Sequence, residues 1–371
     1  MYTFNNKRYL PPAILDELLI QNKLVDYTST LGYSVENRPI LMSSFGSGKR
    51  KVLLWSQMHG NESTTTRALI QLFSHLTIKK SKLLDELNIK VIYQLNPDGS
   101  AKYSRYNANG IDLNRDAVKN TQPESKLLVS LFNEFKPHFC LNLHDQRSIY
   151  ASGNTNIPAL ISFLAPSYDE SKSINEIRKM SMSMIGNLYS NMRVDETWHV
   201  GRYNDDFNIN CFGDFFMSQN TPTILIEAGQ HPNDFGRNLV VREVFKCLLN
   251  FLKLFAYEND LKYNTELYSS IPENQNHLRD LEIINIRCLK GKSNRIFIQF
   301  YELLKNDKIY FFPKIEPQSS KKLYGCKIID FSKFTDKSID FDENNQKILE
   351  KLELFLDFRL FLREEPKNEK N

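Results

Sequence analysis

Residues 56–69, SQMHGNESTTTRAL, put a histidine and a glutamate three positions apart directly after the apolar run VLLW. The same arrangement, a polar group at the exit of an apolar run, recurs along the chain. His59 and Glu62 follow KVLLWSQM, the turn NPDG (96–99) follows KVIYQL, His144 and Asp145 follow HFCLNL, and Glu227 closes TPTILI. Histidine nitrogens and a carboxylate are the ligands zinc takes in hydrolytic sites, where three protein groups leave a fourth position for water. His59, Glu62 and His144 supply that set. Zinc brings the pKa of such a water down toward about 7 and polarises a carbonyl. A separate carboxylate must then carry the water's proton to the leaving amine, and Glu227 is the candidate.

The segment SRYNANGIDLNRD (104–116) adds two arginines, three asparagines and a glycine. Arginine forks onto carboxylates and stabilises developing negative charge. Asn114 with Arg115 can hold a substrate carboxylate, and Arg105 can reach an oxyanion. Each of these groups also has an ordinary explanation: a loop histidine beside a helix-opening glutamate, a satisfied structural His144, an ion-paired Glu227, a solvated turn with surface arginines. His199 and His231 are rival ligands, but neither has a carboxylate at ligand spacing. His75 falls in a helical stretch, His138 precedes a strand, and His277 lies in a linker.

The elements that must position these groups alternate. From about residue 38 to 256, short apolar β-rich runs (KVLLWSQ, KVIYQL, HFCLNL, TPTILIEAG) alternate with amphipathic stretches (STTTRALIQLFSHL, KLLVSLFNEF, REVFKCLLNFLKLF). That pattern predicts an α/β sheet covered on both faces, with ligands at the carboxyl ends of its strands. Ser63 or a neighbouring threonine is placed to cap the helix after MHGNE. Residues 1–30 read as a helical preamble to a catalytic unit spanning 1–265. SSIPENQNH reads as a polar linker. Beyond it, residues 271–371 read as a small β-rich appendage with strands in LEIINIRC, RIFIQFYEL, KIYFFPKI and GCKIIDF, then a closing helix over 343–363 and a frayed tail.

The composition is that of an ordinary globular protein, 41% hydrophobic and 25% charged. A net charge of +4 over 371 residues argues neither for nucleic acid nor for a membrane surface. No apolar run reaches the roughly 18 residues of a membrane span. Five scattered cysteines without CxxC spacing predict free thiols in a reducing compartment. The N-terminus does not follow the pattern of a secretory signal, so the expected location is cytoplasmic.

Taken together, the chain resembles the zinc metallocarboxypeptidase family. The pieces that carry the resemblance are GYSVENRPI (32–40), MHGNE (58–62), NPDG (96–99), R-x-N-x-x-G-I-D-L-N-R (105–115), LNLHD (141–145) and ILIEAG (224–229), spread over about 200 residues in the family's order. The resemblance implies an eight-stranded mixed, mostly parallel sheet flanked by helices, and one zinc ion on His59, Glu62 and His144. It implies Glu227 as general base, Arg105 as oxyanion stabiliser, and Asn114 with Arg115 as holders of the terminal carboxylate. Tyr203 is the nearest match to the family's mobile tyrosine. Asp205, Asp206 and Asp214 lie near the side-chain pocket in sequence, where one could select basic residues or all could cap loops. A leader and an inhibitory pro-segment, features of the secreted digestive members, are not recognisable. That shifts weight toward intracellular bacterial-type relatives, including those that trim cell-wall peptides.

Three functions stay open from the sequence. The first is a zinc carboxypeptidase removing the C-terminal residue of a peptide with a free carboxylate. The second is an amidase of cell-wall peptides or a deacylase of N-acyl amino acids. The third is a catalytically silent binding module, which every retained ligand and base argues against.

Overall fold

The computed structural model of the chain describes residues 8–232, 234–257, 265–286, 295–317 and 322–333. Its strands are β1 (Thr28–Tyr33), β2 (Pro39–Phe45), β3 (Arg50–Trp55), β4 (Leu87–Ile92), β5 (Phe139–Asp145), β6 (Tyr150–Ser152), β7 (Ala159–Leu164), β8 (His199–Arg202) and β9 (Thr223–Ala228). Eight of these form one sheet in the order β1-β2-β4-β3-β5-β9-β7-β8. The central strands β4, β3, β5 and β9 all run parallel, while β1, β2 and β7 pair antiparallel with their inner neighbours. The carboxyl ends of the four parallel strands therefore open on one rim.

The sheet is buried on both sides. Along β3, Val52 and Leu54 face one apolar cluster and Leu53 and Trp55 face another, as the two-residue period of a strand requires. Helices α2 (Thr64–Ile78), α6 (Glu176–Ser190) and α8 (Asn238–Tyr257) cover the first face. Helix α8 does so through Val240, Val244, Cys247, Leu248, Phe251 and Phe255, an apolar stripe at three- and four-residue spacing. Helices α5 (Pro123–Phe135) and α7 (Phe212–Ser218) cover the second face, where Phe216 stacks on Phe132 and meets Trp55 edge-on. Short helices α1 (Pro12–Gln21), α3 (Leu83–Glu86), α4 (Pro97–Ala101) and α9 (Thr265–Ser270) complete the set. Among the described residues no helix is long and apolar enough to cross a membrane.

The C-terminal region builds the expected β-rich appendage. Strands β11 (Leu278–Ile284), β12 (Ile296–Lys305), β13 (Lys308–Ile315) and β14 (Tyr324–Asp330) form a sheet ordered β13-β12-β11-β14 around its own apolar cluster, which Phe235 of the main unit joins.

Three expectations change. Among the described residues the helical preamble consists of α1 and a 3₁₀ turn, and β1 already begins at Thr28. The predicted linker SSIPENQNH contains β10 (Asn274–Asn276), which pairs antiparallel with β6, so polar side chains there belong to an edge strand. Ser63 is the first residue before α2 but makes no side-chain cap. Asp145 caps that helix from across the sheet, accepting the Thr64 N–H at 3.0 Å and the Thr64 hydroxyl at 2.5 Å. The predicted closing helix and tail lie outside the described residues.

Candidate active site

The loop after β3 is shaped by contacts that the motifs encode. Gln57 adopts φ +44°, turning the chain sharply out of the strand. Its side-chain amide donates to Gly60 O at 2.9 Å and to Ser100 Oγ at 3.0 Å. A turn bond from Glu62 N to His59 O, 3.1 Å, then brings the two side chains to one side. The NPDG segment buttresses this loop and is a short helix, α4, rather than a bare turn. Asn96 caps α4 by accepting the Gly99 N–H and donates to Met58 O at 3.1 Å. A Cβ on Gly60 would sit 2.0 Å from the Gly99 carbonyl carbon, so only glycine allows this approach. Asp98 reaches the other way. It accepts Ser34 Oγ, the Glu36 N–H and Arg38 Nη1 at 2.6–2.9 Å, which ties in the GYSVENRPI segment.

His59, Glu62 and His144 converge, with one ligand atom of each lying within 4.8 Å of the others. Glu62 Oε1 is 2.8 Å from His59 Nδ1, and Glu62 Oε2 is 2.9 Å from His144 Nδ1. The two Nδ1 atoms are 3.2 Å apart. On the other side of its ring, His59 Nε2 donates to Asp112 Oδ1 at 3.0 Å. A carboxylate accepts only, so Asp112 holds a proton on Nε2, which leaves Nδ1 as the nitrogen that a metal ion between Glu62 and His144 would take. Two aimed ring nitrogens and a carboxylate, all buried, fit a zinc ion well. Burial opposes charge on all three groups. Against it, Glu62 and Asp112 raise the pKa of His59, and the two histidines hold the Glu62 carboxyl far below its ordinary range; His144 itself is pushed down by burial.

Glu227 stands beside this group. It is the register partner of His144 across β5 and β9, strands that lie about 4.8 Å apart. Its Oε2 is buried with no partner among the described residues. Burial, then the charges of Glu62 and Asp145, raise its pKa well above the usual carboxyl value.

The 104–116 loop crosses above. Arg105 donates from Nε to Asp112 Oδ2 at 3.0 Å, its Nη2 lies 3.0 Å from the same oxygen, and its Nη1 is 3.6 Å from Glu62. Asn114 Oδ1 accepts the Phe212 N–H at 3.0 Å, which leaves its amino end as the group for a ligand. Arg115 donates to Asn114 O at 2.7 Å and lies 3.1 Å from Cys211 Sγ. Tyr203 is half-buried in the wall, its hydroxyl donating to Gln146 Oε1 at 3.0 Å and its ring edge-on to Tyr150. All eight residues singled out from the sequence line one cleft of about 710 Å³. Asp214 and Asp206 line it too, whereas Asp205 pairs with Arg178 at 2.6 Å. Rivals His199 and His231 are not among its lining residues.

Two residues were missed. Asp112 sits inside a quoted motif, and its position two residues before Asn114 was the available signal. Asn142, two residues before His144 on the same strand face, is fully buried in the cleft with both side-chain polar atoms unpartnered among the described residues. It too sits inside a quoted motif, LNLHD, where a polar residue in an apolar strand two positions before His144 was the available signal.

A two-histidine, one-carboxylate group at the carboxyl rim of a mixed sheet, beside a glutamate whose Oε2 has no partner among the described residues, is an arrangement that can hold a metal ion. The family model described as zinc carboxypeptidase matches residues 13–139. Probable carboxypeptidase 2 of Arthroderma benhamiae is 33% identical over 122 residues, 32% of this chain and 22% of that protein. Carboxypeptidase 2 of Trichophyton rubrum is 32% identical over 124 residues, 32% of this chain and 21% of that protein. The matched stretch thus spans about a fifth of those relatives' length. Among solved structures, a metallo-carboxypeptidase from Burkholderia cenocepacia aligns with TM-score 0.53 at 15% identity, covering 68% of this chain and 71% of its own. One from Pseudomonas aeruginosa, in complex with (2-guanidinoethylmercapto)succinic acid, aligns with TM-score 0.52 at 15% identity, covering 67% and 71%. Residues 13–139 of this chain are thus similar to the zinc carboxypeptidase family, and about two thirds of the chain shares the fold of those metallo-carboxypeptidases.

Proposed function

We propose that the protein is a zinc-dependent carboxypeptidase that hydrolyses the C-terminal peptide bond of peptides bearing a free carboxylate. The observation that carries this reading is the convergence of His59, Glu62 and His144 in one cleft with Glu227, whose Oε2 has no partner among the described residues, and with Arg105, Asn114 and Arg115. One zinc ion held by the first three residues would supply Lewis acidity toward the scissile carbonyl and acidify a water. Glu227 takes the proton of the attacking water and passes it to the leaving amine. Its position supports that role, since it is the register partner of His144 and its buried Oε2 has no partner among the described residues. Arg105 is anchored by Asp112 and turns donors toward the developing oxyanion. Asn114 and Arg115 grip the terminal carboxylate beside α7. Tyr203 stands over the site and closes on the substrate. We include a reducing, cytoplasmic setting in the proposal, supported by the unpaired thiols of Cys140, Cys211, Cys247 and Cys326.

The test is a mass-spectrometric digest of free-ended peptides, C-terminally amidated copies and cell-wall peptides, with and without chelator. Stepwise, chelator-sensitive loss of terminal residues from the free-ended peptides alone is expected. Glu227→Gln should lower kcat by roughly 10²- to 10⁴-fold while zinc stays bound. Cleavage confined to cell-wall peptides, or activity indifferent to Glu227→Gln, would overturn the reading.

A further inference from the structure

We propose that the half of the cleft bounded by β12 is a subsite for a second anionic group of the substrate, a carboxylate on the acyl side of the bond that is cut. This rests on the peptidase reading above for which side is which. The register of β5 and β9 sets the direction. One shared rung carries His144 and Glu227, and the rung two residues earlier carries Asn142 and Leu225 on the same face. The Asn142 end is the α7 end, where Asn114 holds Phe212 N and Arg115 meets Cys211. A terminal carboxylate gripped there sends the acyl part of the peptide the other way, past the end of β5 toward Gln146, about 7 Å along the strand from His144.

What it meets there is arginine. Arg237 is 2% exposed and donates from Nη2 to Gln146 O at 2.8 Å, with Nη1 3.3 Å from Asp145. Its Nε has no partner among the described residues. Arg8 is 8% exposed and pairs with Glu302 of β12 at 2.5 Å, yet its Nε and Nη1 also lack partners among the described residues. Arg147 is exposed, lines the same cleft, and has no ion pair among the described residues. Guanidinium donors buried without acceptors are costly, and an arriving carboxylate is the acceptor their fork geometry fits. The two carboxylates of this wall do not satisfy those donors: Asp145 Oδ1 is itself buried without a partner among the described residues, and Arg237 Nε and Arg8 Nε and Nη1 stay unmet. Asp145 caps α2 and pairs with Arg237, and Glu302 takes both Arg8 and the Tyr103 hydroxyl. The buried cations feel one another: Arg67, behind this wall, is pushed down to about 10 by burial, with Arg8 and Arg237 adding to the effect. The appendage thereby acquires a role, since β12 supplies the wall that keeps Arg8 in place.

The experiment compares peptides identical except for glutamate or glutamine at the first or second position upstream of the terminal residue. It also measures, by calorimetry, the binding of N-acetylglutamylglycine and N-acetylglutaminylglycine to the zinc-loaded Glu227→Gln protein. Glutamate peptides should show kcat/KM at least about 10-fold higher, mainly through KM, and N-acetylglutamylglycine should bind about 10-fold tighter, the discrimination one charge-assisted hydrogen bond supplies. Both preferences should collapse in Arg8→Met and in Arg147→Ala; the latter is a surface change that keeps the test open if Arg8→Met misfolds. Equal binding of the two N-acetyl dipeptides would overturn the subsite whether or not peptides are cut. Preferential binding without any cleavage would overturn the peptidase reading and leave the subsite standing.

Discussion

Asp112 is the residue whose removal best separates positioning from chemistry. Its Oδ1 accepts His59 Nε2 and the Asn114 N–H, at 3.0 and 2.9 Å, and its Oδ2 accepts Arg105 Nε at 3.0 Å, with Nη2 equally close. Asp112→Asn keeps the shape and the ability to cap, but leaves one accepting atom for two sets of donors. If that oxygen stays with His59 and Asn114, the new amino group faces the Arg105 guanidinium, donor against donor. The charge-assisted bond to His59 also becomes a neutral one, and such bonds are worth about 1.5–3 kcal/mol. The expected loss in zinc affinity is therefore about 10- to 100-fold. It is read by competition with a chromogenic chelator against the wild-type protein. At saturating zinc, kcat/KM should fall by a further factor of about 100, because Arg105 no longer holds its place over the oxyanion. A variant with wild-type zinc affinity, within twofold, and an intact circular dichroism spectrum would refute the view that Asp112 aims His59.

Two other perturbations test the supports. Gly60→Ala places a methyl group 2.0 Å from the Gly99 carbonyl carbon and 2.1 Å from Ser100 N. The backbone on both sides must shift, so the variant should lose roughly 1–3 kcal/mol of stability together with zinc affinity; unchanged denaturant midpoint and affinity would contradict the packing argument. Asp214 gives the pH dependence: burial raises its carboxyl from 3.8 to about 7. Between those values the unfolded chain has released a proton that the folded chain still holds. Stability is thus fully present below about pH 4, falls as pH rises to about 7 and is level above, by at most ~4 kcal/mol. Asp214→Asn should flatten that slope, gaining Tm relative to wild type at pH 8 but not at pH 4, and parallel Tm–pH curves would refute it.

The catalytic rim was legible because its signals are local. An apolar run ending in His or Glu states both the strand and the direction in which its exit faces, and β3, β5 and β9 each carried that statement. The strands of the appendage were legible for the same reason, through the apolar runs in 278–330. What stayed hidden was pairing between distant segments. NPDG reads as a turn, but nothing in those four residues says that Asp98 will reach Ser34, Glu36 and Arg38, 60 to 64 positions earlier, or that Asn96 will hold Met58. Ser63 has the chemistry of a cap, yet the better-placed oxygen belongs to Asp145, 81 residues beyond the Thr64 N–H it accepts. The polar NQN of the supposed linker is the edge strand β10, whose side chains need no apolar alternation because only its backbone is paired by β6.

The same logic explains why the two halves of the cleft differ in how far sequence could reach them. The carboxylate-holding half is built from one loop, so Arg105, Asp112, Asn114 and Arg115 sit within eleven residues and announce themselves together. The opposite half takes Arg8 from the N-terminal segment, Arg147 from the loop after β5, Arg237 from the turn before α8, and its wall from β12. No spacing rule connects positions 8, 147, 237 and 302; only the sheet order and the docking of the appendage do. Substrate selection on that side is consequently free to change without touching the catalytic motifs. On this proposal, replacing β12 or Arg8 alters which peptides fit while His59, Glu62, His144 and Glu227 keep their geometry, because those four are held by β3, β5, β9 and the α4 buttress and, among the described residues, by no hydrogen bond from the appendage.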